Sequence, residues 1–223
     1  MLHIAAVLNA AEIAEVRRLT SAGEWIDGRA TAGSMSTRVK RNHQLGEDDP
    51  AGLAAAAIVL AALARNGVFA SAALPAQIAP PLFNRYGVGE SYGDHIDSAI
   101  RPLQRGRMRL DLSATLFLSD PDDYADGDLV IDTEGAEQRV RLPAGDLILY
   151  PAGTIHRVDP VTRGCREACF FWVQSLVRSG EQRDMLFALD AEIQALEDHE
   201  AARPSAVRLA ALYHNLLRLW ADP

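Results

Sequence analysis

A chain of 223 residues has the size of one domain with at most a small appendage, and its 48% apolar content is ample for a buried core. The net charge of −8 argues against nucleic acid and against an anionic membrane surface as partner. Met1-Leu2-His3-Ile4 does not open a secretory signal, and the most apolar run, Leu53 to Ala64, is too short to span a bilayer, so the chain is expected to be soluble and cytoplasmic.

Asn9-Ala10-Ala11-Glu12 has the form of a capping box. Ile13, Val16 and Leu19 follow at helical spacing, which predicts a helix over about residues 10–22. Asp49-Pro50 places an N-cap before a proline at the first helical position, and Asn66-Gly67 supplies a stop. The Ala- and Leu-rich run between them is the second expected helix. Residues 1–77 read as an N-terminal helical support region.

From residue 78 the segments become short and rich in β-formers, separated by turn residues. Expected strands are Ala79–Tyr86, Asp111–Leu118, Asp128–Ile131, Gln138–Leu142, Asp146–Tyr150, His156–Val158 and Arg166–Gln174. Gly87-Val88-Gly89, Pro121-Asp122-Asp123, Glu134-Gly135, Pro143-Ala144-Gly145 and Pro151-Ala152-Gly153 are the turns between them. Strands of this length and spacing fit a sandwich or jelly roll. Residues 78–178 are therefore the expected β core. The two cysteines, Cys165 and Cys169, would sit on one strand, where disulfide geometry is rare, and are expected as reduced thiols.

After Arg178-Ser179-Gly180 the pattern turns helical again, over residues 179–223. Met185, Leu186, Leu189, Ile193 and Leu196 form one apolar stripe. Val207, Leu209, Leu212, Leu216 and Trp220 form another, opened by Pro204. Two such helices would pack on the barrel or join two copies of the chain in a homo-oligomer.

Within the core, His95-Ile96-Asp97 is an H-x-D step. In an extended strand, residues i and i+2 point to one face, so an imidazole and a carboxylate would project side by side. His156, from a distant strand, can close the set. Two His and one carboxylate on one face of an octahedral metal leave positions open, the ligand arrangement of non-haem Fe(II) oxygenases. On the last strand Arg166, Ala168, Phe170 and Trp172 share one face, and Cys165, Glu167, Cys169 and Phe171 share the other. If the first face lines a barrel, Arg166 is buried and needs an anion, either an internal carboxylate or one from a ligand.

Three stretches carry a resemblance to a known family: FNRYGVGESYGDHIDSAIR, DLSATLFLSDPDDYADGDLVI and LPAGDLILYPAGTIHRVDPVTRGCREACFFWVQSLVR. Together they resemble the iron(II)/2-oxoglutarate-dependent dioxygenases, and within them the bacterial PKHD-type hydroxylases linked to iron uptake. The resemblance implies a mainly β fold: a double-stranded β-helix (jelly roll) core with N-terminal helices and a C-terminal helical extension. It implies His95, Asp97 and His156 as Fe(II) ligands. It assigns Arg166 to the distal carboxylate of 2-oxoglutarate and places Tyr86 against the same co-substrate. Oxidative decarboxylation of 2-oxoglutarate to succinate and CO2 with O2, coupled to hydroxylation, is the implied activity, and L-ascorbate the implied reductant. The presence of Asp97 fits hydroxylation, since a halogenating relative would lack that carboxylate. Asp126-Gly127-Asp128 departs from the Gly-Gly-Glu common in relatives.

Ser113 and Thr115 share a face and are candidates for a hydroxyl beside Arg166. Arg101, Arg105, Arg107 and Arg109 are either a solvated cluster or a site for an acidic substrate. The acids from Asp120 to Asp128 lack EF-hand spacing and are expected as a solvated loop near the barrel mouth. His3, His43, His199 and His214 fit no ligand pattern and are expected to face solvent. The competing function is a cupin-like iron or small-molecule sensor without turnover. A further one is an oxygenase on the same barrel that uses no 2-oxoglutarate. Neither needs Arg166. The substrate, small molecule or peptide, is not legible in the sequence.

Overall fold

The computed structural model describes residues 1–31, 36–103, 106–133, 135–197 and 199–222. Arg105 and Glu134 lie outside the described residues. In chain order the chain forms β1 (Leu2–Ile4), α1 (Ala10–Ser21), β2 (Trp25–Asp27), β3 (Lys40–Arg41), β4 (His43–Leu45), α2 (Pro50–Arg65), α3 (Gly67–Ala73), β5 (Pro75–Ile78), β6 (Leu82–Tyr86), β7 (Ser91–His95), β8 (Ile100–Pro102) and β9 (Arg107–Arg109). There follow β10 (Leu112–Phe117), β11 (Tyr124–Asp126), β12 (Leu129–Thr133), β13 (Ala136–Val140), β14 (Leu147–Pro151), β15 (His156–Val158), β16 (Val161–Gly164), β17 (Arg166–Ser175), α4 (Gly180–Glu197) and α5 (Arg203–Trp220).

Two antiparallel sheets build the jelly roll. The larger runs β1-β14-β10-β17-β6-β4-β2, with β5 also paired to β17; the smaller runs β13-β12-β15-β7-β3. Alternation along β17 divides the interior in two. Cys169, Phe171 and Val173 join a core with Val16, Val59, Leu63 and Phe69 of the N-terminal helices. Arg166, Phe170 and Trp172 face the opposite way, into a cavity between the sheets. A second apolar cluster, including Phe117, Leu129, Ile131 and Ile148, fills the space between the sheets beside that cavity.

The helices start where the sequence places them. Asn9 accepts from the Glu12 backbone N–H at 3.0 Å while Glu12 Oε2 accepts from the Asn9 N–H at 2.9 Å, closing the capping box. Such a cap contributes about 1 kcal/mol. Asp49 caps α2, accepting from Gly52 N–H at 2.8 Å. Buried alanines at 55, 56 and 62 let α2 lie close against its neighbours. Asn66 ends α2 as expected, but it also caps α3 by accepting from Phe69 N–H at 2.8 Å, so a second short helix follows at once. Among the described residues no single helix is long and apolar enough to cross a membrane; the pair α2 and α3 is bent by 83°.

Several features differ from the sequence expectation. The first 77 residues also supply four strands, all on sheet edges or at the second position from an edge. In the C-terminal hairpin, Met185, Val207 and Leu212 of the expected stripes point to solvent. The face of α5 that packs carries Tyr213, Leu216, Leu217 and Trp220, which meet Leu74, Val177 and Leu186. Within the Asp120–Asp128 segment, Asp120, Asp122, Asp123 and Asp126 are exposed, as expected, but Tyr124–Asp126 form β11, which pairs with β16 and brings Tyr124 near Arg166. Both cysteines are free thiols, and burial pushes both upward from the usual thiol range.

Candidate metal centre

β7 and β15 are neighbours in the smaller sheet, and their register sets His95 directly opposite His156. Cross-strand partners have Cβ atoms about 5 Å apart, and here the two imidazole centroids lie 4.2 Å apart. Each ring is turned by the same local device. His95 Nδ1 lies 2.8 Å from the carbonyl oxygen of Gly93, and His156 Nδ1 lies 2.9 Å from that of Thr154. A carbonyl only accepts, so each Nδ1 carries a proton, and Nε2 is the atom each ring turns toward the cavity. Tyr92 stacks on His95 with centroids 3.6 Å apart and rings 12° from parallel. Burial, with His156 beside it, pushes the His95 imidazole well below its usual range and keeps it neutral.

Asp97 follows two residues after His95, just past the end of β7. One ligand atom from each of His95, Asp97 and His156 lies within 4.8 Å of the others, and Asp97 Oδ2 is 3.8 Å from His156 Nε2. The Ser113 hydroxyl on β10 donates to Asp97 Oδ2 at 2.5 Å across the cavity. Ser113 therefore serves Asp97 and not Arg166, where the sequence placed it as a candidate. Thr115, on the same face of β10, hydrogen-bonds the buried Tyr150 hydroxyl, which burial pushes upward in pKa. Two imidazoles turned through Nε2 and one nearby carboxylate form a donor set suited to a divalent metal.

Arg166 opens β17, paired with Tyr86 on β6. It is 1% exposed, and its guanidinium lies 5.5 Å from the Tyr86 ring centroid and 5.2 Å from that of Phe117. Its Nε and Nη2 have no hydrogen-bond partner, and among the described residues no carboxylate pairs with it. The neighbouring Tyr124 hydroxyl, within reach of the Arg166 charge, makes no hydrogen bond of ordinary geometry. The internal salt bridge weighed from sequence does not form. A guanidinium buried with open donors is stable only if an anion from outside completes it.

The cavity, about 210 Å³, holds the His-Asp-His set and Arg166 together. Trp172, Ile96, Ile100 and Arg101 flank its mouth, with the Arg101 guanidinium 4.7 Å above the Trp172 ring and paired to Glu47 at 2.5 Å. Of the basic cluster, Arg101 alone among the described residues lines the cavity. Arg109 is tied to Asp111 at 2.8 Å. The sequence reading missed Lys40, Gln44, Asn84 and Tyr150, which also line the walls. Lys40 donates to Gln44 Oε1 at 3.0 Å, and burial pushes its ammonium down to about 8. From Lys40 to Gln44 every residue is polar, so alternation gives no inside and outside to read there.

Residues 81–174 match the 2OG-Fe(II) oxygenase superfamily, and residues 181–222 match the PKHD-type hydroxylase C-terminal domain. A PKHD-type hydroxylase of Burkholderia lata is 53% identical, covering 100% of this chain and 99% of the relative. One from Burkholderia ambifaria is 52% identical with the same coverage. The chain belongs to the PKHD-type hydroxylase family. It is a 2-oxoglutarate-dependent dioxygenase with Fe(II) and 2-oxoglutarate as its cofactor and co-substrate. A solved prolyl hydroxylase from Trichoplax adhaerens, in complex with a peptide fragment, superposes with a TM-score of 0.55 at 20% identity, over 83% of this chain and 86% of that one. That likeness shows the jelly-roll fold. The residues fit both groups: the Nε2 atoms converge with Asp97, and Arg166 holds open donors for an anion.

Proposed function

We propose that this dioxygenase hydroxylates a C–H bond of its substrate, with His95, Asp97 and His156 holding Fe(II) and Arg166 holding the distal carboxylate of 2-oxoglutarate. The single observation that carries the proposal is the buried Arg166 with Nε and Nη2 unmatched, in the same cavity as the His-Asp-His set. A pure metal sensor has no use for that guanidinium, and an oxygenase without 2-oxoglutarate has none either.

When bound, iron and 2-oxoglutarate together supply O2 activation and the two electrons for it, one oxygen atom ending in succinate, the other in the product hydroxyl, with CO2 released. The chain does the rest. Gly93 and Thr154 carbonyls accept from the Nδ1–H of each imidazole, so Nε2 is the atom turned to the metal. Burial keeps His95 neutral, which metal binding requires. Arg166 pairs with a carboxylate in a fork, and the Tyr86 and Phe117 rings hold its plane. Phe170, Trp172 and Leu110 wall the cavity and limit water near the reacting C–H bond.

Ascorbate as reductant and a role in iron uptake belong to the same proposal, supported by the family resemblance. So does contact between two copies through α4 and α5. Leu212 and Leu219 face outward there; α4 carries Glu181, Asp184, Asp190, Glu192 and Glu197, whereas α5 carries Arg203, Arg208 and Arg218.

The deciding experiment is anaerobic. Fe(II) and then 2-oxoglutarate are added to the metal-free protein, the visible absorption of a chelated keto acid is recorded, and succinate is assayed after O2 is admitted. The expected result is the band followed by succinate. Iron binding without the band would overturn the assignment of Arg166.

A further inference from the structure

We propose that Ser113 is the positioning residue of the metal centre: its hydroxyl holds the Asp97 carboxylate so that it offers one oxygen to the metal. The proposal rests on the assignment of Asp97 as a ligand.

The three ligand residues are not held equally. His95 and His156 sit in register on paired strands, and each has its ring fixed by the carbonyl two residues before it in the chain. Asp97 lies beyond the end of β7, where no ladder bonds set its orientation. Its carboxylate could rotate about the side-chain torsions at little cost. What holds it comes from the other sheet. Ser113 is the second residue of β10, paired with Tyr150 on one side and Trp172 on the other, and is 2% exposed. From that rigid position its hydroxyl donates to Asp97 Oδ2 at 2.5 Å, the length of a charge-assisted O–H···O⁻ bond.

A free carboxylate can chelate a metal through both oxygens. Two oxygens plus two imidazoles would take four positions of six and leave too few for a bidentate keto acid and O2. A hydroxyl proton on Oδ2, the oxygen that lies 3.8 Å from His156 Nε2, occupies one of its lone pairs and fixes the rotation of the carboxylate, so that this one oxygen is presented to the imidazoles. Ser113 thus links the two sheets at the metal centre and keeps coordination positions open. Partners of this kind change metal affinity about 10- to 100-fold when removed.

The test uses cobalt(II), which reports coordination through its visible spectrum without turnover. Ser113→Ala removes the hydroxyl and adds no volume. Its cobalt(II) affinity should fall at least about 10-fold, with an altered visible spectrum and an unchanged thermal midpoint. Ser113→Thr, which restores a hydroxyl, should recover most of that affinity. Ser113→Cys, a weaker donor, should lie between them. Native affinity and spectrum in Ser113→Ala, with binding lost in Asp97→Ala, would overturn the proposal. Native binding in Asp97→Ala as well would instead overturn the ligand assignment beneath it. If Ser113→Ala does not fold, the ranking of Ser, Thr and Cys decides: equal affinities would overturn the proposal.

Discussion

At the scale of single residues, Arg166 is the most exacting group in the molecule. Its open Nε and Nη2, in a nearly inaccessible site between two aromatic rings, set a large penalty that a carboxylate relieves. Arg166→Ala should therefore raise the apparent KM for 2-oxoglutarate by at least about 30-fold, from a lost charge pair of about 2–5 kcal/mol. Fe(II) affinity should stay near native, since Arg166 is not among the converging ligand atoms. Initial-rate measurements against 2-oxoglutarate, paired with a metal titration, separate the two. A second expectation concerns pH. His95 has a folded pKa below the ordinary 6.5, owing to burial and the neighbouring His156. Between 6.5 and that lowered value the unfolded chain binds more protons than the folded one, so the stability is fully present above pH 6.5 and is lost as pH falls. The thermal midpoint of the metal-free protein should drop between pH 6.5 and about 5, and His95→Gln should flatten the drop relative to native. At this scale the residues named from sequence, His95, Asp97, His156, Arg166 and Tyr86, do meet in one cavity, because H-x-D spacing and strand alternation are local patterns. Ser113 as the partner of Asp97 was not legible. A serine in a strand shows a hydroxyl but not what stands opposite it on the other sheet.

Among the elements, the paired strands β11 and β16, distant in sequence, lie beside Arg166. Asp126 has φ 57° and Gly127 has φ 68°, so two consecutive residues lie in the left-handed region. Asp tolerates that region better than most residues. Gly127 has no such latitude: a Cβ there would lie 2.6 Å from Val161 Cγ2 and 3.6 Å from Arg166 Cδ. Gly127→Ala should destabilise the fold by about 1–3 kcal/mol, from the left-handed backbone and the crowding of Val161, while Arg166, met only at ordinary contact distance, keeps the KM for 2-oxoglutarate near native. Asp126→Gly should change stability by less than about 1 kcal/mol, backbone relief offsetting the lost hydrogen bond from Thr162. Urea midpoints with keto-acid kinetics on both variants check this; a raised KM in Gly127→Ala would mean that the crowding at Val161 is passed on to Arg166. The long strands were legible because their alternation is strong, as in β17. The edge strands β1 to β4 have two or three residues each and fall below the length at which period two can be read.

For the whole molecule, the question is what fixes the C-terminal hairpin to the barrel. Helical periodicity gave both helices, but it put Met185, Val207 and Leu212 on buried faces, and they are exposed. The reason is that α4 and α5 pack chiefly on each other and meet the rest of the chain through a small apolar cluster around Leu74, Val177 and Leu186, the Ser71–Asp190 hydrogen bond and the contacts that Ala221 and Asp222 make just past β17. A narrow contact of this kind leaves apolar residues outside, so a stripe does not identify its own buried side. Arg183 strengthens the contact: it is buried, and its Nη1 donates to the carbonyls of Val177 and Arg178 at 2.8 and 2.9 Å. These carbonyls follow β17, the strand that carries Arg166, so the hairpin braces that strand from its far end. Arg183→Ala should cost about 2–3 kcal/mol, from two charge-assisted bonds lost in a buried site. The loss should appear as a lower thermal midpoint and earlier proteolysis after Arg178. Cobalt(II) affinity should stay unchanged, because Arg183 lies at the opposite end of β17 from Arg166 and outside the cavity. A variant that kept its midpoint would mean that the other contacts hold the hairpin without it. One that lost cobalt(II) affinity would mean that the hairpin reaches the metal centre through β17.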